Sequence, residues 1–238
     1  MSLLVAEHVG KTFPAGDSHV TALSDVSLTI AAGEFVAIVG PSGCGKSTLL
    51  HLCGAMDRPS TGRLTLDGVR LDTMGEDGLT RLRRARIGFV FQFFNLLPTL
   101  SLAENIALPL LLSGGSARAA ILRASEVAER VGLSHRLDHY PSQLSGGEMQ
   151  RVAIARSVIH SPVLIVADEP TGNLDSENGA RVLELLQTLN RESGVTLVLA
   201  THAGDVAGAA DRVIALRDGR VERIDTPRHA ARDARATF

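Results

Sequence analysis

Residues 35–39 are apolar without interruption, and Gly40-Pro41-Ser42-Gly43-Cys44-Gly45-Lys46-Ser47-Thr48 follows at once. This junction constrains the chain more than any other feature. A short, wholly apolar run reads as a strand buried on both faces, as in a parallel sheet. A Gly-x-x-x-x-Gly-Lys-Ser loop between such a strand and a helix offers a row of backbone N–H groups to phosphate oxygens. Gly40, Gly43 and Gly45 permit the tight turn with positive φ. Lys46 reaches the β- and γ-phosphates of a nucleoside triphosphate, and the Ser47 hydroxyl suits Mg²⁺.

A second string, Leu144-Ser145-Gly146-Gly147-Glu148, narrows the reading. Ser145 and Glu148 have the spacing of a capping box, so the string can be simply a helix start. Two glycines in a row are poor helix formers, and a cap does not need them. Small residues at a helix N-terminus let a phosphate approach the backbone N–H groups and the positive dipole end. One nucleotide already has a cradle in the first loop. A second anion grip in the same chain therefore suggests two molecules sharing each nucleotide.

The totals exclude several classes. At 238 residues and 45% hydrophobic, the chain can bury a large core or one domain with an insertion. With net charge −2 there is no basic excess to mark nucleic acid as a partner. No apolar run approaches the ~20 residues of a bilayer span, and the N-terminus lacks the charged start of a signal peptide. The two cysteines, Cys44 and Cys53, suggest a reducing compartment and no disulfide framework. Aromatic residues are only 3%, so the core must be aliphatic.

Along the chain, residues 3–9 and 22–30 read as alternating strands, and 47–56 as the helix after the phosphate loop. Asp67-Gly68 and Asp218-Gly219 are hairpin turns, the latter between strands at 212–216 and 220–224. Residues 76–86 form a polar helix whose Arg81, Arg83, Arg84 and Arg86 read as a solvated face. A strand at 87–91 ends at Gln92. Residues 93–157 then show helical periods, a capping box at Ser101-Leu102-Ala103-Glu104, and no clear strand. They read as a helical subdomain inserted into an α/β domain. Apolar strands return at 163–167 and 195–200, around a helix at 176–191. Strands alternating with helices predict a mostly parallel sheet covered on both faces. Residues 225–238 read as a helix end or loose tail.

Several polar residues fall at strand ends, where open parallel sheets bind ligands. Asp168 closes one strand and can hold Mg²⁺ directly or through water. Glu169, one residue on, can polarise a water for in-line attack on the γ-phosphate; otherwise it is a surface carboxylate. Gln92 can touch the metal or the attacking water, or be an ordinary strand-end amide. His202 can donate to the γ-phosphate or be structural. Phe13 can stack on adenine or fill a small core. Cys44 can be merely a small residue that fits the loop, or a reactive thiol, because Lys46 and the helix N-terminus favour its thiolate.

Taken in order, Gly40 to Thr48, Gln92, Leu144 to Glu148, Asp168-Glu169, Asn173-Leu174-Asp175 and His202 resemble the motif set of ABC-transporter ATPase subunits, over almost the whole chain to about residue 224. The resemblance implies an α/β P-loop NTPase with three parts. A RecA-like core and an antiparallel β-subdomain occupy 1–92 and 158–224, and a helical subdomain occupies 93–157. It also implies a head-to-tail dimer with two ATP molecules at the interface. Within it, Phe13 contacts adenine, Ser145, Gly146 and Gly147 act on the partner's ATP, and Asp175 lies in a loop crossing to the partner. More narrowly, Phe89-Val90-Phe91-Gln92-Phe93-Phe94-Asn95-Leu96-Leu97-Pro98 and Ala167 to Asp175 look like the subgroup serving lipoprotein release, macrolide-type export and cell-division complexes. Met149 and Ala203 depart mildly from the pattern, the latter beside His202.

The expected function is therefore ATP hydrolysis with Mg²⁺, powering export or mechanotransmission. An integral-membrane permease, a second copy of the chain and no nucleic acid are the expected partners. The expected place is the cytoplasmic face of the inner membrane, held there through the permease. A rival of the same fold regulates cell-wall or division machinery and moves no substrate.

Overall fold

The computed structural model describes residues 1–16 and 18–226. The chain opens with two long strands, β1 (Ser2–Ala15) and β2 (Ser18–Ala31), then β3 (Phe35–Val39) and α1 (Lys46–Cys53). β4 (Thr61–Leu66), β5 (Val69–Arg70), α2 (Glu76–Arg86) and β6 (Ile87–Phe91) follow. Three helices come next, α3 (Leu102–Leu112), α4 (Ala117–Arg130) and α5 (Gly146–Val158). The chain then returns through β7 (Leu164–Asp168), α6 (Ser176–Ser193), β8 (Thr196–Ala200), the short α7 (Gly204–Gly208), β9 (Arg212–Arg217) and β10 (Arg220–Asp225). The tail expected from residue 225 onward lies, beyond 226, outside the described residues.

Two sheets organise these elements. An antiparallel sheet runs β2-β1-β4-β5, and a six-stranded sheet runs β10-β9-β3-β8-β7-β6. In the second sheet β9, β3, β8, β7 and β6 are parallel, and only β10 runs against its neighbour. The alternation of strand and helix predicted this. The parallel neighbours are distant in sequence, and the crossovers bring β3, β8, β7 and β6 side by side. Their C-terminal ends then share one edge.

The core is aliphatic and divides into three buried clusters. One joins the antiparallel sheet to α1 and one face of the parallel sheet, through residues such as Leu4, Leu23, Leu50 and Val198. A second covers the opposite face with α6, through Leu186, Leu189 and Leu197. The third belongs to α3, α4 and α5, with Leu102, Ile106, Val127 and Val152 at its centre. Among the described residues no helix is long and apolar enough to cross a membrane.

Three expectations are corrected. The first strand does not stop at Val9 but continues to Ala15. Gly10 lies so close to β4 that a Cβ there would sit 2.5 Å from Thr61 Oγ1. The glycine permits the strand pairing rather than ending it. The helix expected to reach residue 56 stops at Cys53, capped by Gly54, because Ala55 adopts φ 53°. The arginine face of α2 is only partly solvated: half-buried Arg83 donates to the Ala55 carbonyl at 2.6 Å, while Arg81 and Arg84 are exposed.

Candidate active site

The phosphate loop has the backbone its sequence demands. Gly40, Gly43 and Gly45 have φ of 152°, 79° and 102°. Gly40 has a second reason to lack a side chain: a Cβ would lie 2.2 Å from the Leu216 carbonyl oxygen. The loop is thus wedged against the β9–β10 turn, where the Gly219 N–H donates to the Cys44 carbonyl at 3.1 Å. Lys46 Nζ donates back to the carbonyls of Gly40 and Pro41 at 2.9 and 3.1 Å, which holds the ammonium over the loop. Ser47 and Thr48 begin α1 and, with Gly43, Gly45, Lys46 and Ala22, line one cleft. Ser42 is exposed on the loop.

Cys44 does not fit the expectation of a reactive thiol. It is only 4% exposed and its sulfur lies beneath Gly40, where a glycine Cβ would meet it at 2.7 Å. Burial against the loop shuts out a thiol reagent. What Cys44 can offer a phosphate is backbone, not sulfur. Cys53 is buried too, and desolvation pushes its thiol up to about 12.

Strand order assembles the other polar groups. β8 lies beside β3, β7 beside β8 and β6 beside β7, so the loop after Val39, then His202, Asp168-Glu169 and Gln92 follow one another along a single sheet edge. Phe91 pairs with Asp168, and Asp168 with Ala200. Gln92 and Asp168 line one small cleft. Gln92 Nε2 donates to Asn173 Oδ1 at 3.2 Å and Asn173 Nδ2 donates to the Gln92 carbonyl at 3.0 Å. The amide oxygen of Gln92 is therefore the atom left for a metal or a water.

Glu169 is held in an uncommon conformation, φ 45°, directly before Pro170. A residue preceding proline is disfavoured in helical conformations, so this backbone persists only because its surroundings enforce it. Its N–H donates to the Ala200 carbonyl at 3.0 Å, and its carbonyl accepts the Gly172 N–H at 3.0 Å. Glu169 Oε1 meets His202 Nδ1 at 2.9 Å. If Nδ1–H donates to the carboxylate, the imidazole's Nε2 points away as its second polar atom. The His202 side chain is 73% exposed and that of Glu169 is largely covered, so the pair sits at the rim with the carboxylate inside. Ala203 does not leave the segment loose, because its N–H donates to Thr201 Oγ1 at 3.0 Å.

Ser145 caps α5 in full. Its Oγ accepts the Glu148 N–H at 3.3 Å and donates to Glu148 Oε2 at 2.9 Å, while its own N–H donates to the same carboxylate at 2.8 Å. The N–H of Ser145, followed by its hydroxyl, holds the Glu148 carboxyl below the usual range. Gly147 has a packing reason of its own, since a Cβ would lie 2.6 Å from Asn178 Oδ1 at the start of α6. Gly146 leaves ordinary contact distance to Leu174. Asp175 caps α6 by accepting the Asn178 N–H at 2.8 Å, which lowers its carboxyl. Phe13 lies on the β1–β2 ribbon, 39% exposed, with Lys11 Nζ 5.0 Å from its ring centre. The sheet edge thus gathers the phosphate loop, Gln92, Asp168, Glu169 and His202. The hydrogen bonds of the Ser145 side chain stay within its own helix start.

Reading the sequence missed Gln150 and Arg156. Gln150 lies at the buried start of α5 and Arg156 near its end, where it donates to the carbonyls of Phe94 and Asn95 at 2.8 and 2.6 Å. A polar amide in the run Val152-Ala153-Ile154 neighbourhood was the available signal for Gln150.

Comparison with known proteins agrees with this geometry. A sequence model described as ABC transporter matches residues 23–172. The lipoprotein-releasing system ATP-binding protein LolD of Bordetella pertussis is 48% identical over 92% of this chain and 95% of that protein. The macrolide export ATP-binding/permease protein MacB of Chlorobium luteolum is 50% identical over 92% of this chain but only 33% of its own length. The fold superposes with a TM-score of 0.88 on the dimeric post-hydrolysis state of the ATP-binding cassette MJ0796 bound to ADP and Pi, at 43% identity over 95% of this chain and 99% of that one.

Proposed function

The chain belongs to the ABC transporter family, and we propose that it is the ATP-binding and hydrolysing subunit powering a transporter of the export or mechanotransmission type. One observation carries the chemistry: Glu169, paired with His202, stands on the same sheet edge as the phosphate loop. In this reading the backbone from Gly40 to Thr48 grips the phosphates with Lys46, and Phe13 faces the adenine. Glu169 takes a proton from the attacking water, and His202 contacts the γ-phosphate. Gln92 aligns that water through its amide oxygen.

Ser47, Gln92 and Asp168 offer only hydroxyl, amide and carboxylate oxygens, the donor set that Mg²⁺ prefers. Among the described residues no group of three or more His, Cys, Asp and Glu side chains could hold a metal by itself. When bound, Mg²⁺ would neutralise charge on the phosphates.

The partners follow from the surface. Ser145, Gly146, Gly147 and Asp175 are the groups proposed to act across a head-to-tail dimer of two copies, with ATP between them. A groove of about 390 Å³ opens between α2, β6 and α3, with Phe89, Leu108, Pro109 and Leu112 among its walls. This groove is the seat proposed for a permease segment, which would hold the subunit at the cytoplasmic face of the inner membrane. It lies where residues 93–157, proposed as a helical subdomain, meet the α/β core of 1–92 and 158–224. The remaining stretch, 225–238, is assigned no part in catalysis.

The test is Glu169→Gln. ATP affinity should stay within about threefold, turnover should fall roughly 10²–10⁴-fold, and ATP should drive the variant into a dimer seen by sedimentation. Turnover within twofold of the parent would remove Glu169 from the role of base.

A further inference from the structure

We propose that Gln150 is a positioning residue for hydrolysis, holding the turn that carries Glu169 and joining it to the helix that begins at Ser145. The side chain of Gln150 is 0% exposed. Its Nε2 donates to the Pro170 carbonyl at 2.7 Å and to the Phe91 carbonyl at 3.3 Å. Pro170 directly follows Glu169, and Phe91 directly precedes Gln92. One amide therefore fastens both backbone segments that present the two side chains acting on the attacking water. It does so from the first turns of α5, the helix capped by Ser145.

The chemistry of the site favours this role over simple packing. Both partners are carbonyls, so the nitrogen must face them. The amide oxygen is then left buried with no hydrogen-bond partner among the described residues. A buried, unpartnered acceptor is unfavourable, and an apolar side chain of the same length would avoid it. The fold gains little from an amide here except the two donor bonds. The longer-range reason for them lies at Glu169. Its left-handed φ of 45° before a proline is strained and relaxes unless the turn is held on every side. The Ala200 carbonyl fixes one end of Glu169 and the Gly172 N–H closes the turn. Gln150 is the contact that comes from outside the core strands. A displacement of α5 thus pulls on the Pro170 carbonyl and reaches the carboxylate through one covalent link.

This inference rests on Glu169 being the base, so the experiment treats both residues. Gln150→Met keeps length and volume while deleting both bonds. ATP turnover of the full chain is measured at saturating ATP and expressed per bound ATP, so that unfolded chain does not enter. Turnover should fall at least tenfold with ATP affinity within about threefold. In the Glu169→Gln background the same change should cost less than twofold, because a residue acting through the carboxylate has nothing left to position. A second variant, Gln150→Glu, keeps a donor only when its carboxyl is protonated. Its deficit relative to the parent should shrink as pH is lowered, a change that plain loss of packing does not produce. Unchanged turnover in Gln150→Met, an equal loss with and without Glu169, or a pH-independent deficit in Gln150→Glu would each overturn the proposal. If Glu169→Gln itself turns over normally, the fault lies with the assignment of the base, and Gln150 is then judged by its single-variant rate alone.

Discussion

Replacing Ser145 by alanine separates the capping role seen in the structure from the role proposed for its hydroxyl toward a partner's phosphate. Within the chain, the change deletes the 3.3 Å bond accepted from the Glu148 N–H and the 2.9 Å bond donated to its carboxylate. The 2.8 Å bond from the Ser145 backbone N–H to the same carboxylate survives. Half of the capping box therefore remains, and the cost should be about 1 kcal/mol, toward the lower half of the range for lost caps. For a chain of this size that lowers the melting temperature by about 2–4 °C. If capping were the whole role, turnover per folded molecule would be unaffected. If the hydroxyl also serves a phosphate held by the partner, a hydrogen bond to a charged group is lost, worth about 1.5–3 kcal/mol. That corresponds to roughly a 10- to 150-fold drop in rate. To serve the phosphate, Oγ must first give up its proton bond to Glu148, whose carboxylate is still held by the backbone N–H and faces Arg136 Nε at 3.5 Å.

A mixed dimer then shows where the hydroxyl acts. Subunits carrying Lys46→Ala are paired, by two affinity tags, with subunits carrying Ser145→Arg. If Ser145 serves the partner's nucleotide, one composite site contains both lesions and the other contains neither. The intact site should hydrolyse ATP and trap the ADP with vanadate, giving higher nucleotide occupancy than the Ser145→Arg homodimer. Equal occupancy in both species, with Ser145→Ala turnover within twofold of the parent, would refute the shared site and leave Ser145 as a helix cap.

Two further outcomes are expected. Burial at the groove lowers the affinity of His160 for a proton, and its Nε2 faces the Ile87 carbonyl at 3.1 Å. The unfolded chain then binds more protons below the ordinary value of 6.5, so stability falls as pH drops through that point. His160→Asn should flatten this slope in denaturant titrations at several pH values, and an identical slope in parent and variant would exclude His160 as its source. For the cysteines, both buried, a thiol reagent should label neither rapidly in the native chain, with or without ATP, and should label both after denaturation. Fast native labelling that Cys44→Ser abolishes would mean that the phosphate loop opens.

What could be read from the sequence was what local chemistry dictates. The strand at 87–91 and the helix at 76–86 were found to the residue, because an apolar run and a charged helical pattern meet without a loop between them. The glycines of the phosphate loop were legible because a tight turn with positive φ needs them at that spacing. Two of the errors share a cause. The first strand was expected to end at Val9 and Cys44 to be reactive, yet each is decided by a neighbour distant in sequence, Thr61 in one case and the Leu216–Gly219 turn in the other. Gly147 shows the same thing from the opposite side. It was read as room for a phosphate, and the structure adds that Asn178 leaves no space for a Cβ. The missing side chain lets α6 approach α5, so at buried Gly147 packing alone accounts for the glycine. The sequence could mark Gln150 as a polar amide beside an apolar run, but not what it holds. Its partners are backbone carbonyls, which carry no signature in the sequence. A side chain that acts on motifs through their backbone becomes visible only once the strand order has brought Phe91 and Pro170 to the same place.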